Sequence, residues 1–168
     1  MAECHHHHDE AAAPGRPVLS LEAEALFVVG VCRAWTAALQ PADPETPDPE
    51  TPDWRHIFTM ASLPPEAAAA YASFMTLVMQ SRRRPLDIRG CSCPEVGRDE
   101  EALLRLIGAV QAGDLLAALD ELDDWLWPGN RTPVLRTAGT VAALFEAYDI
   151  QVPHAAAAPR RAPHLALQ

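Results

Sequence analysis

The sequence predicts an all-α fold, a compact bundle of about six helices with disordered N- and C-terminal tails. Three observations predict it. Leucine-type residues return every three or four places along most of the chain, the spacing of one helical face. Alanine, the best helix former, supplies much of the 49% apolar content. Proline, glycine and short acidic residues fall between the periodic stretches, where helices stop and start. At 168 residues the chain is long enough for one self-sufficient core, here placed at 18–152.

The first helix is expected to begin at Ser20, with Glu22 and Glu24 in its first turn. Leu21, Ala25, Val28, Cys32, Trp35 and Leu39 draw its apolar stripe, and Leu26, Phe27, Val29 and Val31 widen it. A helix so broadly apolar is central or covered on two sides. Cys32 lies in the stripe and reads as a small buried core residue. Pro41 ends the helix. An exact repeat, Asp-Pro-Glu-Thr-Pro, then occurs twice between Asp43 and Pro52, and Asp53 closes the loop at 40–53. Closely spaced prolines with like charges between them give an extended, solvated linker.

Asp53 caps a short helix from Trp54 to about Ala61, with His56 on it. Pro65 suits the first turn of the next helix. Tyr71, Phe74 and Val78 face the core along it, with Met75 and Met79 beside them, and it runs to about Arg83. That places Arg82, Arg83 and Arg84 at the last turn, where positive charge complements the dipole. Pro85 stops it, and Leu86–Arg89 alternate as an extended segment.

Asp99, Glu100 and Glu101 open the fourth helix, whose face is Leu103, Leu104, Ile107 and Val110. Gly113 ends it and Asp114 caps its successor, which forces a tight helical hairpin. Leu115, Leu119, Leu122 and Leu126 step along the second arm; Asp120, Glu121, Asp123 and Asp124 occupy the opposite face. Trp127-Pro128-Gly129-Asn130 is a turn. Thr132 then caps the last helix, with Pro133 at its first position and Val134, Ala138, Val141, Phe145 and Tyr148 as its stripe. Met1–Pro17 and 153–168 are read as the tails.

Composition removes several functions. The formal net charge is -10, and all 13 basic residues are arginine. Without lysine there is no phosphate-loop lysine and no Schiff-base lysine. An acidic surface repels a phosphate backbone, so no nucleic-acid partner is expected; Arg82–Arg84 is the only basic cluster considered for one. Neither a signal peptide nor a membrane-spanning run is evident, so a soluble, cytoplasmic protein with no membrane partner is expected. Four cysteines in such a chain are expected to stay reduced. Phosphate loops, His-Glu-x-x-His, Gly-x-Ser-x-Gly and calcium loops are all missing.

Two groups of residues remain as candidate sites. Cys91 and Cys93 place two thiols within reach of one soft metal ion, although zinc sites space such pairs by two or more residues. Arg89, Arg98 and the nearby helix start favour a reactive thiolate there. Cys4 and the tract His5, His6, His7 and His8 add soft and borderline metal donors near the N-terminus. No cofactor is expected, with a transition metal on these residues as the alternative. The second group is the acidic face Asp120, Glu121, Asp123 and Asp124. Like charges one turn apart repel, and Asp123 and Asp124 oppose the helix dipole. Solvent can offset this; so can docking of Arg82, Arg83 and Arg84, pairing with Arg131 or Arg136, or a partner's basic surface. Asp120, Glu121, Asp123, Asp124, Arg82, Arg83 and Arg84 are the expected partner-binding residues.

Residues 86–126 resemble uncharacterised small all-helical proteins of high-GC bacteria. The resemblance lies in Cys91 and Cys93, in Asp99-Glu100-x-x-Leu103-Leu104, in Gln111, and in a second Ala/Leu-rich helix ending near Trp125. It implies an all-helical fold and transfers no catalytic residue. The favoured expectation is a non-enzymatic accessory or adaptor protein that works by contact with another protein or with itself. The alternative is a metal- or redox-responsive protein that uses Cys91 and Cys93.

Overall fold

The computed structural model describes residues 15–39 and 53–154. Six α-helices make up most of them: α1 Ala23–Ala37, α2 Trp54–Met60, α3 Pro65–Ser81, α4 Arg98–Gln111, α5 Leu115–Trp125 and α6 Arg131–Ala147. Two single 3-10 turns, Val18–Ser20 and Pro128–Asn130, precede α1 and α6. Among the described residues there is no strand, only two isolated antiparallel bridges, Pro17 with Glu95 and Arg82 with Leu126. The all-α expectation therefore holds. The proline-rich repeat and most of both tails lie outside the described residues. Arg16, assigned to the N-terminal tail, is tied to the fold: its carbonyl accepts the Val96 N–H at 2.8 Å.

α4 is the centre of the bundle. It packs on α1, α5 and α6, while α3 lies along α6 and α2 bridges α1 and α3. Aromatic rings fill the joint between α1, α2, α3 and α6. Phe27 meets Phe58 and Phe145 edge-on, each at 5.5 Å between centroids, and Tyr71 stacks against Phe145 at 6.4 Å. Such ring pairs add to the burial of their area. α1 is buried without interruption from Val31 to Trp35, in keeping with a broad apolar face, although Leu26, assigned to that face, is exposed.

Several helix ends follow local chemistry. The Asp53 carboxylate accepts the Arg55 N–H at 3.0 Å, and the Asp114 carboxylate accepts the Ala117 N–H at 3.0 Å. Gly113 takes φ +73 in the joint between α4 and α5, a left-handed conformation that glycine adopts without steric penalty.

Other ends differ from expectation. Ser20 does not cap α1; its hydroxyl donates to the Pro17 carbonyl at 2.7 Å inside the 3-10 turn. Thr132 does not cap α6, because Pro128–Asn130 runs straight into a helix that starts at Arg131. α3 stops at Ser81, so Arg82, Arg83 and Arg84 lie beyond its last turn, with Arg82 already extended at ψ 142. Leu39 and Tyr148 fall past their helix ends and are exposed, as is Leu115 on the first turn of α5. The buried stripe of α5 is Ala118, Leu122 and Trp125. Among the described residues no helix is long and apolar enough to cross a membrane.

Candidate functional site

The segment between α3 and α4 has no regular structure, yet it is held from several sides. Its irregular backbone must find hydrogen-bond partners or remain in water. Two adjacent carboxylates at the start of α4 supply them. Glu100, fully buried, accepts the Gly97 N–H at 2.7 Å and the Arg89 N–H at 3.0 Å. Asp99, 2% exposed, accepts the Asp87 N–H and the Trp125 indole N–H, the latter at 2.9 Å. Asp87 in turn accepts the Arg98 N–H at 2.9 Å. The charges expected to serve the helix dipole are therefore structural anchors as well.

Each anchor is neutralised by an arginine from elsewhere. Arg33 of α1 is buried and grips Glu100 with two parallel hydrogen bonds of 2.8 Å. The same guanidinium donates to the Cys93 carbonyl at 2.6 Å and to the Glu95 carbonyl at 2.7 Å. Burial alone would lower its pKa, but Glu100 more than offsets that, and the group is held charged. Arg84 forks onto Asp99 with two bonds of 2.7 Å and also reaches Asp124. Burial would raise the Asp99 pKa; Arg84, the Asp87 N–H and the Trp125 indole outweigh it and hold the carboxyl below its ordinary value.

The acidic face of α5 is engaged by the chain's own arginines. Asp124 meets Arg84, Arg98 at 2.9 Å and Arg83 at 3.6 Å, and Arg84 holds its carboxyl below the ordinary value. Glu121 pairs with Arg105 through bonds of 2.8 and 3.0 Å, and Asp123 with Arg131 at 2.7 Å. Asp120 is exposed on the same helix. Of the two arginine groups considered, both contribute: Arg83 and Arg84 dock on Asp124, and Arg131 on Asp123. Arg82 takes part through its backbone, by the bridge to Leu126, while Arg83 N–H donates to the Trp125 carbonyl at 2.8 Å. The end of α3 is thereby laid beside the end of α5.

That junction carries Trp127, the residue after the bridge, with 60% of its surface exposed. The same junction carries charged residues in the chain: Asp123 and Asp124 precede it on α5, and Arg82 and Arg83 are joined to it through the Arg82–Leu126 bridge and the Arg83 N–H to the Trp125 carbonyl. An indole left largely in water is unlike Trp35, Trp54 and Trp125, which are buried; among the described aromatic residues only Tyr148 is exposed as well. The turn-forming sequence around Trp127 hid this, because a tryptophan before Pro-Gly reads simply as part of a turn.

The cysteines separate. Cys91 is exposed and Cys93 buried, on a turn closed by the Cys93 N–H to the Gly90 carbonyl at 3.0 Å. Cys32 is fully enclosed, and burial pushes its thiol up to about 12. The enclosed Tyr71 beside it is raised well above its ordinary value, again chiefly by burial. Neither group can reach a substrate. Cys4 and His5, His6, His7 and His8 lie outside the described residues. Among the described residues no three His, Cys, Asp or Glu side chains converge as a metal site. Two thiols alone do not complete a four-coordinate zinc shell, so a metal on Cys91 and Cys93 would need ligands from Cys4 or the His tract.

A shallow cleft of about 190 Å³ opens between the ends of α4 and α6, lined by Gly108, Gln111, Ala112, Glu146, Val152 and His154. Gln111 is committed there to structure. Its amide donates to the Ile150 carbonyl at 2.8 Å, and its oxygen accepts the Val152 N–H at 2.9 Å. The residues that sequence reasoning passed over are Arg33, Trp127 and the anchoring role of Asp99 and Glu100. An arginine inside an apolar run was the available sign of the first.

Comparison with protein-family models gives no match, and neither do comparisons with curated proteins and with solved structures.

Proposed function

We propose that this protein is a non-enzymatic accessory or adaptor protein, acting through contacts with another protein, and that the surface around Trp127 makes the contact. The single observation that carries the reading is the exposed indole at the junction of α3 and α5. Tryptophan and arginine dominate the energetics of protein interfaces when they are centred in a patch that excludes water. Trp127 supplies the apolar anchor. Arg83, Asp123 and Asp124, held in ion pairs, and Arg82, whose guanidinium donates to the Met79 carbonyl, supply charged groups beside it whose ordering is already partly done before binding. The fitting partner presents an apolar pocket for an indole, with acidic and basic groups at its edge. A nucleic acid fits poorly, because Arg83 and Arg84 are neutralised by Asp99 and Asp124.

Site-specific photocrosslinking in living cells tests this. A benzophenone side chain is placed at Trp127 and, as a control, at Met60, which is 74% exposed on α2. A discrete crosslinked species at position 127 that is missing at position 60, and that weakens in an Arg82→Glu background, is expected. A product with twice the mass of the chain identifies the partner as a second copy. No product at 127, or the same products at both positions, overturns the assignment.

A further inference from the structure

We infer that the Cys91-Ser92-Cys93 turn is a thiol–disulfide switch that controls whether the segment at residues 16–18 stays docked on the core. The inference is independent of the Trp127 surface. Two residues apart, the cysteines have α-carbons no more than about 7 Å from each other, which covers the range a disulfide spans. Burial is the obstacle. Cys91 is exposed, whereas Cys93 is 6% exposed. Closing the bond requires Cys93 to turn outward.

That movement has a defined consequence, because the backbone around Cys93 is a docking edge. Arg33 holds the Cys93 and Glu95 carbonyls at 2.6 and 2.7 Å. Next to them, the Pro94 carbonyl accepts the Val18 N–H and the Val96 N–H donates to Arg16, both at 2.8 Å. Rotating residue 93 displaces this edge and frees the segment at residues 16–18. The interior tolerates the release. Arg33 keeps both oxygens of Glu100, so no buried charge loses its counter-charge, and the peptide N–H and C=O groups of the docking edge are exchanged for water. Cys32 does not compete, since it is enclosed and its thiol is poorly ionised.

Glutathione disulfide is the oxidant the switch would take. The Cys91 thiolate attacks one of its sulfurs, forming a mixed disulfide and expelling one glutathione thiolate. The Cys93 thiolate then attacks the Cys91 sulfur and expels the second. Two protein thiols become one disulfide, and two electrons and two protons pass to the two glutathione molecules.

The test uses the full chain carrying Cys4→Ser, equilibrated in glutathione buffers of increasing oxidation. Mass spectrometry reads the product, and hydrogen exchange reads the amides of Val18 and Val96. Loss of two hydrogens in mass, with exchange at those two amides about tenfold faster and α3–α6 unchanged, is expected. Cys91→Ser, at an exposed position, should keep Val18 and Val96 protected in every buffer. Three results overturn the inference: a stable glutathione adduct with no internal disulfide, an internal disulfide with unchanged exchange at Val18 and Val96, or exchange that rises across all helices.

Discussion

Replacing Arg33 with methionine keeps the stem that packs in α1 and removes the cation. Four hydrogen bonds go with it: two to Glu100 and one each to the Cys93 and Glu95 carbonyls. Glu100, fully buried, would be left with the Gly97 and Arg89 N–H groups and no counter-charge. Breaking a buried pair from one side costs about 3–5 kcal/mol. The two carbonyls belong to a loop that water can reach once it loosens, so they add no more than about 1 kcal/mol each. The expected loss is therefore about 4 kcal/mol, a large share of the roughly 5–15 kcal/mol that holds an ordinary domain folded. Urea unfolding followed by far-UV circular dichroism at pH 7 measures it. Glu100→Gln should also destabilise, because its amide faces the buried guanidinium. The double variant Arg33→Met with Glu100→Gln should lose at least about 1 kcal/mol less than the sum of the singles, since neither charge is then left alone. A loss below about 1 kcal/mol for Arg33→Met, or simple additivity in the cycle, would refute the claim that this pair anchors the loop.

Two further outcomes follow from the neighbouring carboxylate and the glycine before α4. Asp99 has a folded pKa below its unfolded value, so its contribution is complete above about pH 4 and is lost as pH falls through the folded value. Asp99→Asn should lower the urea midpoint at neutral pH and flatten its decline below about pH 4; equal slopes in the two proteins would show that Asp99 is not the group responsible. A β-carbon at Gly97 would run into the Asp87 carbonyl oxygen, closer than real side chains approach, whereas one at Gly90 meets nothing. Gly97→Ala should cost about 1–3 kcal/mol and Gly90→Ala less than about 0.5 kcal/mol by thermal unfolding, and equal effects would contradict the close approach of residue 87 to the start of α4.

The helices were legible in the sequence because their signals are local. Pro65, Asp53, Asp114 and Gly113 each act within one turn of where they stand, and the three-and-four spacing of leucine-type residues needs no knowledge of what covers it. Ser20 and Thr132 misled for a local reason too. A hydroxyl can serve a 3-10 turn as readily as a helix start, and Ser20 bonds backward to Pro17. The ion pairs were illegible for a different reason. Arg33 and Glu100 are 67 residues apart, and no rule of spacing joins an arginine in an apolar run to one of three consecutive acids. Glu100 satisfies the dipole rule and the capping rule whether it is buried or not. The Arg82–Arg84 cluster shows the middle case. Docking on the acidic helix was one of several solutions that the charges allowed, and only the bridge between Arg82 and Leu126 selects it.

The same arrangement explains why a small helical bundle keeps charges in its interior. A buried ion pair is a weak source of stability, and apolar replacements are often as good. Here the carboxylates have a second task that leucine could not perform. The segment between α3 and α4 brings backbone N–H groups of Asp87, Arg89 and Gly97 against the core, and each takes a carboxylate oxygen. Once Asp99 and Glu100 are buried as acceptors, Arg84 and Arg33 must follow to neutralise them. The spare donors of Arg33 then reach the carbonyls of Cys93 and Glu95. Charge enters the core to satisfy an irregular backbone, and it fixes one path for that backbone. The position of Cys91 in water and of Cys93 inside both descend from that path. Substitutions at Arg33 or Glu100 should therefore disturb the cysteine turn before they disturb the aromatic cluster at Phe58 and Tyr71.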